Sequence, residues 1–439
     1  MPSDLLKAVN KLDNLERAWR VIQQNGRTSK SETVRLELER FAEDAPHNLR
    51  SLMGRLVRGS FKFGKAKGVP IPKLDDKGKP TGGIRPIVLA PVESRIVQRA
   101  VLNVLVEVEA LKPYIKTSHS FGGIRSKRQR HEQERGAELS AVPAAIHAVL
   151  AEIGQGARFI ASADIRAFFT RISQEHVLAV IGNAIGDGHV DFLAFLRSAI
   201  TVELENLALL REKAANFPTE EIGVAQGNSL SPLLGNIALA EFDRIMNEGD
   251  CACIRYIDDF IITAPTQKAA NARLAKAIKL LKTLQMELSL EKSSKGGSPI
   301  SDPFDFLGIT ICPGLIRPSA KAQYRFTESV TKVFSDAQKS MVAMKHGQPI
   351  ERDRTLIATL KRVDGMIDGW GKHYWFCNDG QSFAALDQQI TEQVAAFLGC
   401  YRTVREAIAP AKRMSLLGLP VLASINREPF SYPKLREKP

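Results

Sequence analysis

The sequence predicts an α+β fold on three observations. Two apolar runs, residues 251–255 and 260–264, flank the tetrad Tyr256-Ile257-Asp258-Asp259, which reads as two antiparallel strands meeting at an acidic tip. Strand-like runs alternate with helical periodicity as far as residue 315, the pattern of helices packed on a sheet. From about 322 to 408 strand signals become sparse and helix-forming sequence takes over.

Taken in order, Leu5, Leu6, Val9, Leu12, Leu15, Trp19 and Ile22 recur at helical spacing and predict an amphipathic helix over 4–24, with Trp19 in the core. A second helix over 32–59 turns basic at its end with Arg50, Arg55, Arg58 and Lys62. The runs GVPIPKL and GGIRPIVLA flank the turn-rich DDKGKPTGG, a hairpin with a long polar loop. A helix over 92–112 follows, then a charged loop with Arg125, Lys127, Arg128, Arg130 and Arg135, diluted by Glu132 and Glu134. A mixed run of this kind is a solvated surface or a phosphate contact. Helix 140–154 leads to a strand ending at Asp164, and helices near 174–185 and 190–202 come next. In QGNSLSPLLGN, residues 226–236, Ser231 suits a helix cap and Pro232 the first helical position, which puts Asn236 on that helix. Three helices over 324–345, 354–376 and 383–408 precede an irregular tail rich in proline and basic at its end. Trp370, Tyr374 and Trp375 share one of these helices and read as core.

A chain of 439 residues, 44% hydrophobic and 25% charged, has room for two or three domains with cores of their own. Its 61 Lys and Arg against 48 Asp and Glu give a net charge of +13, which suits a polyanionic partner. No basic amphipathic helix or lipid anchor stands out, so nucleic acid is the expected polyanion. No apolar stretch reaches bilayer length and no signal peptide is seen, so no membrane partner is expected and the expected location is cytoplasmic. Cys251, Cys253, Cys312, Cys377 and Cys400 are odd in number and form no CxxC pair, which predicts reduced thiols, no disulfide framework and no zinc. Cys251 and Cys253, alternating on a strand, share one face.

Two adjacent carboxylates repel unless a cation lies between them and a partner, and a divalent metal is the economical answer. A solvated turn also carries Asp-Asp without chemistry, so the pair takes its meaning from the rest of the chain. Asp164 stands between the apolar RFIASA and two phenylalanines, and the glycine- and serine-bearing 226–236 lies between the two acidic sites. Three carboxylates on two strands suit two-metal nucleotidyl transfer, in which ions about 3.5–4 Å apart clamp the attacking and leaving oxygens. Oxygen ligands favour Mg²⁺, with Mn²⁺ as the substitute ion.

In order, ADIRAFF, QGNSLSPLLGN, YIDD, LSLEKSS and FLGI resemble the palm motifs of reverse transcriptases, most closely those of the bacterial lineage of group II intron, retron and phage-defence enzymes. The resemblance runs from about residue 15 to about residue 400. It implies a right-hand polymerase architecture: an N-terminal helical extension over 1–60, fingers with the first palm elements over 61–160, a palm with an antiparallel catalytic sheet over 161–315, an α-helical thumb over 316–408 and a tail over 409–439. The run IDGWGKHYW, residues 367–375, is similar to an aromatic signature in the thumb of group II intron enzymes.

The resemblance also assigns roles. Asp164 and Asp258 become metal ligands, with the backbone carbonyl of Ile165 a third oxygen source and Asp259 the supporting charge. Phe169 corresponds to the aromatic residue set against the sugar 2′ position, which selects dNTPs by clashing with a ribonucleotide's hydroxyl. Its alternative is a core phenylalanine beside Phe168. Adjacent strand residues face opposite ways, and the family pattern favours Phe168 for the inward place. Gln226 and Gly227 line the nucleotide pocket, where glycine lets backbone approach base and sugar. Lys73 and Arg85 match the basic pair that binds triphosphate on the fingers hairpin, and Lys292 matches the lysine that protonates the leaving pyrophosphate. Asn236 has a part in template contact by analogy.

The chain departs from the family pattern in SFGGIRS, in Ser94-Arg95 and in YIDD where YADD is usual. It ends soon after the thumb, so self-contained retrohoming is not expected. The function implied is an RNA-directed DNA polymerase that copies a partner noncoding RNA through an RNA–DNA hybrid, using dNTPs, in antiphage defence. The alternatives are a maturase-like splicing factor, template-independent DNA synthesis and, disfavoured by Phe169, an RNA-dependent RNA polymerase. Oligomeric state is left open.

Overall fold

The N-terminal amphipathic stretch folds as two helices, α1 (Asp4–Val9) and α2 (Leu12–Gly26), rather than one. At the break the Asn14 side chain, 2% exposed, donates to the carbonyls of Ala8 and Val9 at 3.2 and 3.5 Å, which an unbroken helix would have paired, and also reaches the Ala100 carbonyl at 3.1 Å. The next expected helix also divides, into α3 (Glu32–Glu43) and α4 (Ala45–Val57), because Asp44 accepts from the His47 N–H and caps the second. This computed structural model describes all residues except 1–2, 30, 75–78, 116, 124–138, 219–220 and 432–439. The basic loop with Arg125, Lys127, Arg128, Arg130 and Arg135 therefore lies outside the described residues.

The chain forms two units, Met1–Asp302 and Pro303–Pro439. In the first, β1 (Lys67–Leu74) and β2 (Pro80–Leu89) make the expected antiparallel hairpin, with Val69 opposite Ile87. Helix α5 (Val92–Leu105) is shorter than its periodicity suggests. A 3₁₀ turn, Glu109–Tyr114, follows and contains Pro113, whose missing N–H and ring oppose a continued α-helix. Then come β3 (Ser120–Phe121), α6 (Ala141–Gly154), β4 (Phe159–Asp164), α7 (Gln174–Ile185), α8 (Val190–Ile200) and the short α9 (Leu207–Leu210). Helices α10 (Ser231–Ala238) and α11 (Ala240–Met246) lead into the hairpin β5 (Ala252–Tyr256) and β6 (Asp259–Ala264), followed by α12 (Gln267–Thr283) and β7 (Ser298–Pro299).

The sheet order is β3-β5-β6-β4-β7, antiparallel except between β3 and β5. Strands β5 and β6 are buried along almost their whole length, which explains why CACIR and FIITA read as continuous apolar runs rather than alternating ones. One hydrophobic core joins α5, α7, α8 and α10 to this sheet through residues such as Val97, Phe168, Phe192, Leu233, Phe260 and Ile262. Cys251 and Cys253 are free and buried, Cys253 in the main core and Cys251 in a small separate cluster.

The second unit opens with an antiparallel sheet of β8 (Phe304–Phe306), β9 (Ile309–Cys312) and β10 (Leu315–Pro318), in the order β10-β9-β8. Residues 303–315, which sequence places with the central domain, thus group with the helices that follow. Those helices are α13 (Ala320–Ala343), α14 (Leu356–His373), α15 (Gly380–Ala407) and α16 (Arg413–Leu417), packed around Val330, Phe334, Met341, Val363 and Phe397. Trp370 stacks on Phe326 with ring centroids 4.6 Å apart, and Tyr374 is buried at the end of α14. Trp375 corrects the sequence reading: α14 stops before it, and the indole is 62% exposed rather than in the core. The whole is a mixed α+β protein with an antiparallel sheet and a helical C-terminal region.

Candidate active site

Strand register assembles the acidic residues. Pairing of β4 with β6 sets Asp164 opposite Asp259, and pairing of β5 with β6 sets Tyr256 opposite Asp259, so Ile257 and Asp258 form a two-residue turn. Ile257 has φ of +62°, at the first turn position, where glycine is favoured. For a β-branched residue this conformation costs on the order of 1–3 kcal/mol, and the surroundings must hold it. The Ile257 N–H donates to the Phe121 carbonyl at 3.3 Å, and the Asp258 carbonyl accepts from the Ile165 N–H at 2.8 Å.

Segment 288–294 is tied along β4. Ser289 and Ser294 donate from their N–H groups to the carbonyls of Asp164 and Ser162, both at 2.8 Å, and the Asp164 N–H donates to Ser293 Oγ at 3.3 Å. This places Lys292 Nζ 2.9 Å from Asp164 Oδ2. Burial first, then the charges of Asp164 and Asp258, pushes the Asp259 carboxyl up to about 7. Burial and then Asp164 push Asp258 up as well, while Lys292 and Lys73 pull it down. Lys73 on β1 therefore acts in the same field.

Among the described residues no three His, Cys, Asp or Glu side chains stand together as a ready-made metal cluster. The cation on Asp164 in this structure is the Lys292 ammonium. The donor set nonetheless fits a hard divalent ion: carboxylate oxygens whose proton affinity is raised by burial and by one another's negative charge. Asp164 and Asp258 would hold such ions, with Asp259 beside them. Ile165, the expected carbonyl ligand, follows Asp164 directly, its side chain buried.

The residues expected at the nucleotide pocket meet through backbone. Ala167, at φ of +52°, takes the chain out of β4, so Phe168 and Phe169 lie on a 3₁₀ turn rather than on a strand. Phe168 is 2% exposed against Gly235, and Phe169 is half-buried, with ring centroids 5.2 Å apart. The Val224 N–H donates to the Phe169 carbonyl at 2.7 Å, and the Val88 N–H to the Gln226 carbonyl at 3.0 Å. The 226 segment thus joins the turn after β4 to the β1–β2 hairpin. Gly227 has φ of +119°, and a Cβ there would lie 2.9 Å from the Val88 carbonyl oxygen, so only glycine fits. Lys73 and Arg85 are exposed on β1 and β2, Arg85 across from Ile71.

Two expectations need correction. Ser231 is not a cap: Leu230 holds the cap position, while Ser231 Oγ donates to the Ala225 carbonyl at 2.7 Å, although Pro232 does lie in the first turn. Asn236, given a template role by analogy, is 7% exposed and its amide donates to the Tyr114 carbonyl at 3.0 Å, so the side chain is engaged inside the fold.

Sequence reasoning passed over Arg255 and Asp243. Arg255 is wholly buried and doubly bonded to Asp243, and Nη1 donates to the Ile257 carbonyl at 2.7 Å. An arginine inside an otherwise apolar run, three residues before the acidic pair, was the available signal.

The chain is 24% identical over 298 residues to Protein YkfC of Escherichia coli (strain K12), covering 59% of this chain and 70% of that protein. Among solved structures it is similar to a chain of a partial Cas6-RT-Cas1–Cas2 complex, with TM-score 0.35 and 19% identity, covering 64% of this chain and 42% of that one. It is also similar to telomerase from Candida albicans in complex with a fragment of telomeric RNA, with TM-score 0.40 and 12% identity, covering 84% of this chain and 65% of that one. The chain thus spans less than half of the former chain and about two thirds of the latter. The family model for reverse transcriptase (RNA-dependent DNA polymerase) matches residues 71–311, more than half of the 439 residues, and the chain belongs to the reverse transcriptase family.

Proposed function

We propose that this protein is an RNA-directed DNA polymerase with its reaction centre at Asp164, Asp258 and Asp259. The observation that carries the reading is the β4–β6 register, which brings Asp164 across from Asp259 beside the Asp258 turn, with Lys292 on Asp164. Asp164 and Asp258 would hold divalent ions, which when bound would supply positive charge to the reacting oxygens. Burial and the neighbouring carboxylate charges raise the proton affinity of Asp258 and Asp259, which supports a site that takes up cations. Lys292, its ammonium 2.9 Å from Asp164 Oδ2, gives a proton to departing pyrophosphate in this reading. Phe169 faces the choice between deoxyribose and ribose, Gln226 and Gly227 shape the pocket, and Lys73 with Arg85 meets triphosphate.

The substrates in this reading are dNTPs and an RNA template, with a partner noncoding RNA as the source and antiphage defence in the cytoplasm as the setting. The net charge of +13 supports a polyanionic partner. Extension of oligo(dT) on poly(rA) with dNTPs and Mg²⁺ tests the activity, with Asp258→Ala/Asp259→Ala as control. Product that persists in the control sinks the assignment. RNA binding without synthesis by the unaltered chain would instead favour a splicing factor, and synthesis without added RNA an untemplated enzyme. Sequencing of co-purifying RNA tests the template.

A further inference from the structure

The strained turn that carries Asp258 is gripped from several sides. Arg255, with no exposed surface, donates from Nε to Asp243 Oδ1 at 2.7 Å and from Nη2 to Asp243 Oδ2 at 2.5 Å. Its Nη1 donates to the Ile257 carbonyl at 2.7 Å, and Nη2 also reaches Asn236 Oδ1 at 3.4 Å. Asn236 is itself held by the Tyr114 carbonyl at 3.0 Å and by Ser120 Oγ at 3.4 Å. On the other side the Phe121 carbonyl takes the Ile257 N–H, and Gly122 closes in so tightly that a Cβ there would lie 3.0 Å from the Tyr256 ring and 3.2 Å from Ile257 Cγ1. Both polar groups of the one residue with positive φ at the catalytic tip are thereby claimed.

We propose that Arg255, oriented by Asp243, is the positioning residue of the catalytic turn: it holds the Ile257 carbonyl and so fixes where the carboxylates of Asp258 and Asp259 meet metal ions. A buried guanidinium must place its N–H groups on acceptors, and this one commits Nη1 to the carbonyl of the residue that carries the strained φ. The residue type fits the task. A planar fork serves a carboxylate with two N–H groups and a carbonyl with another, which a lysine ammonium cannot reproduce.

The inference rests on the polymerase reading, and its test separates the two. Primer extension and the Mg²⁺-induced shift in Tm are measured on the full chain for Arg255→Lys and for the charge-free pair Arg255→Met/Asp243→Leu, which fills the space without a buried lone charge. For both, kcat falls about 10- to 100-fold, the size expected of displacements near one ångström at a reacting centre. The Mg²⁺ concentration for half the Tm shift rises, while KM for dNTP stays within about twofold. Ile257→Gly added to Arg255→Lys restores part of kcat, because glycine holds the positive φ unaided. Wild-type kcat and Mg²⁺ response in a folded variant overturn the proposal, as does a loss of kcat that Ile257→Gly leaves untouched. If the unaltered protein binds Mg²⁺ yet extends no primer, the polymerase reading fails, and the Mg²⁺ comparison between it and the variants still decides the role of Arg255.

Discussion

Lys292 Nζ sits 2.9 Å from Asp164 Oδ2, and it reaches there because segment 288–294 is bonded along the strand that ends in Asp164. The Lys292 side chain is 59% exposed and that of Asp164 17%. The lysine is therefore free to leave, whereas Asp164 is not. Lys292→Gln should lower kcat about 100-fold, the low end for losing a general acid. The same change should reduce the Mg²⁺ concentration needed for half-maximal rate, since a competing cation has gone. Rapid-quench single-turnover kinetics across a Mg²⁺ series would show this, and an unchanged rate would remove Lys292 from the chemistry.

The acidic pair predicts a pH dependence of stability. Asp259 is pushed up to about 7 from 3.8, and Asp258 moves the same way. Between these values the folded protein keeps a proton that the unfolded chain has lost, so these groups make the metal-free protein less stable as pH rises from about 4 to about 7. Above that window the cost is complete, and Mg²⁺ should reverse it. Tm of the metal-free protein relative to Asp259→Asn, followed from pH 5 to 8 with and without Mg²⁺, checks the sign. A difference that grows in favour of the unaltered protein as pH rises without metal would contradict the burial described.

Phe169 predicts sugar selection. Its ring is only half-buried, unlike that of Phe168, so Phe169→Ala should disturb the core little. Relative use of rNTPs, measured as kcat/KM against dNTPs, should rise roughly 10- to 100-fold, the range for one steric contact in a pocket. Phe168→Ala should instead destabilise the fold by about 3–5 kcal/mol, read by urea denaturation.

Gly227 predicts intolerance of any side chain. With φ of +119° and the Val88 carbonyl 2.9 Å from where a Cβ would sit, Gly227→Ala must push the 226 segment off the β1–β2 hairpin. KM for dNTP should rise at least about tenfold, with a stability cost on the order of 1–3 kcal/mol. A variant with unaltered KM would show that this segment does not border the nucleotide.

Local chemistry was readable from residue order alone. Apolar runs about an acidic turn predicted β5 and β6, helical periodicity predicted α7, α8 and the three long C-terminal helices, and the resemblance to palm motifs pointed to Asp164, Lys292 and Gly227. Each of these depends on neighbours a few positions away. Some of the residues misread depend on distant ones. Asn14 is buried against Ala100 of α5, and Asn236 is consumed by Tyr114, Ser120 and Arg255, whereas Asp44 and Ser231 were local signals passed over, a cap on His47 and a bond to Ala225. Arg255 could be noticed in the sequence but not placed, because its partner Asp243 and its target Ile257 are joined only when α11 packs beside β5. Hydrogen-bond satisfaction of buried polar groups is a property of the packed molecule, and periodicity carries no record of it.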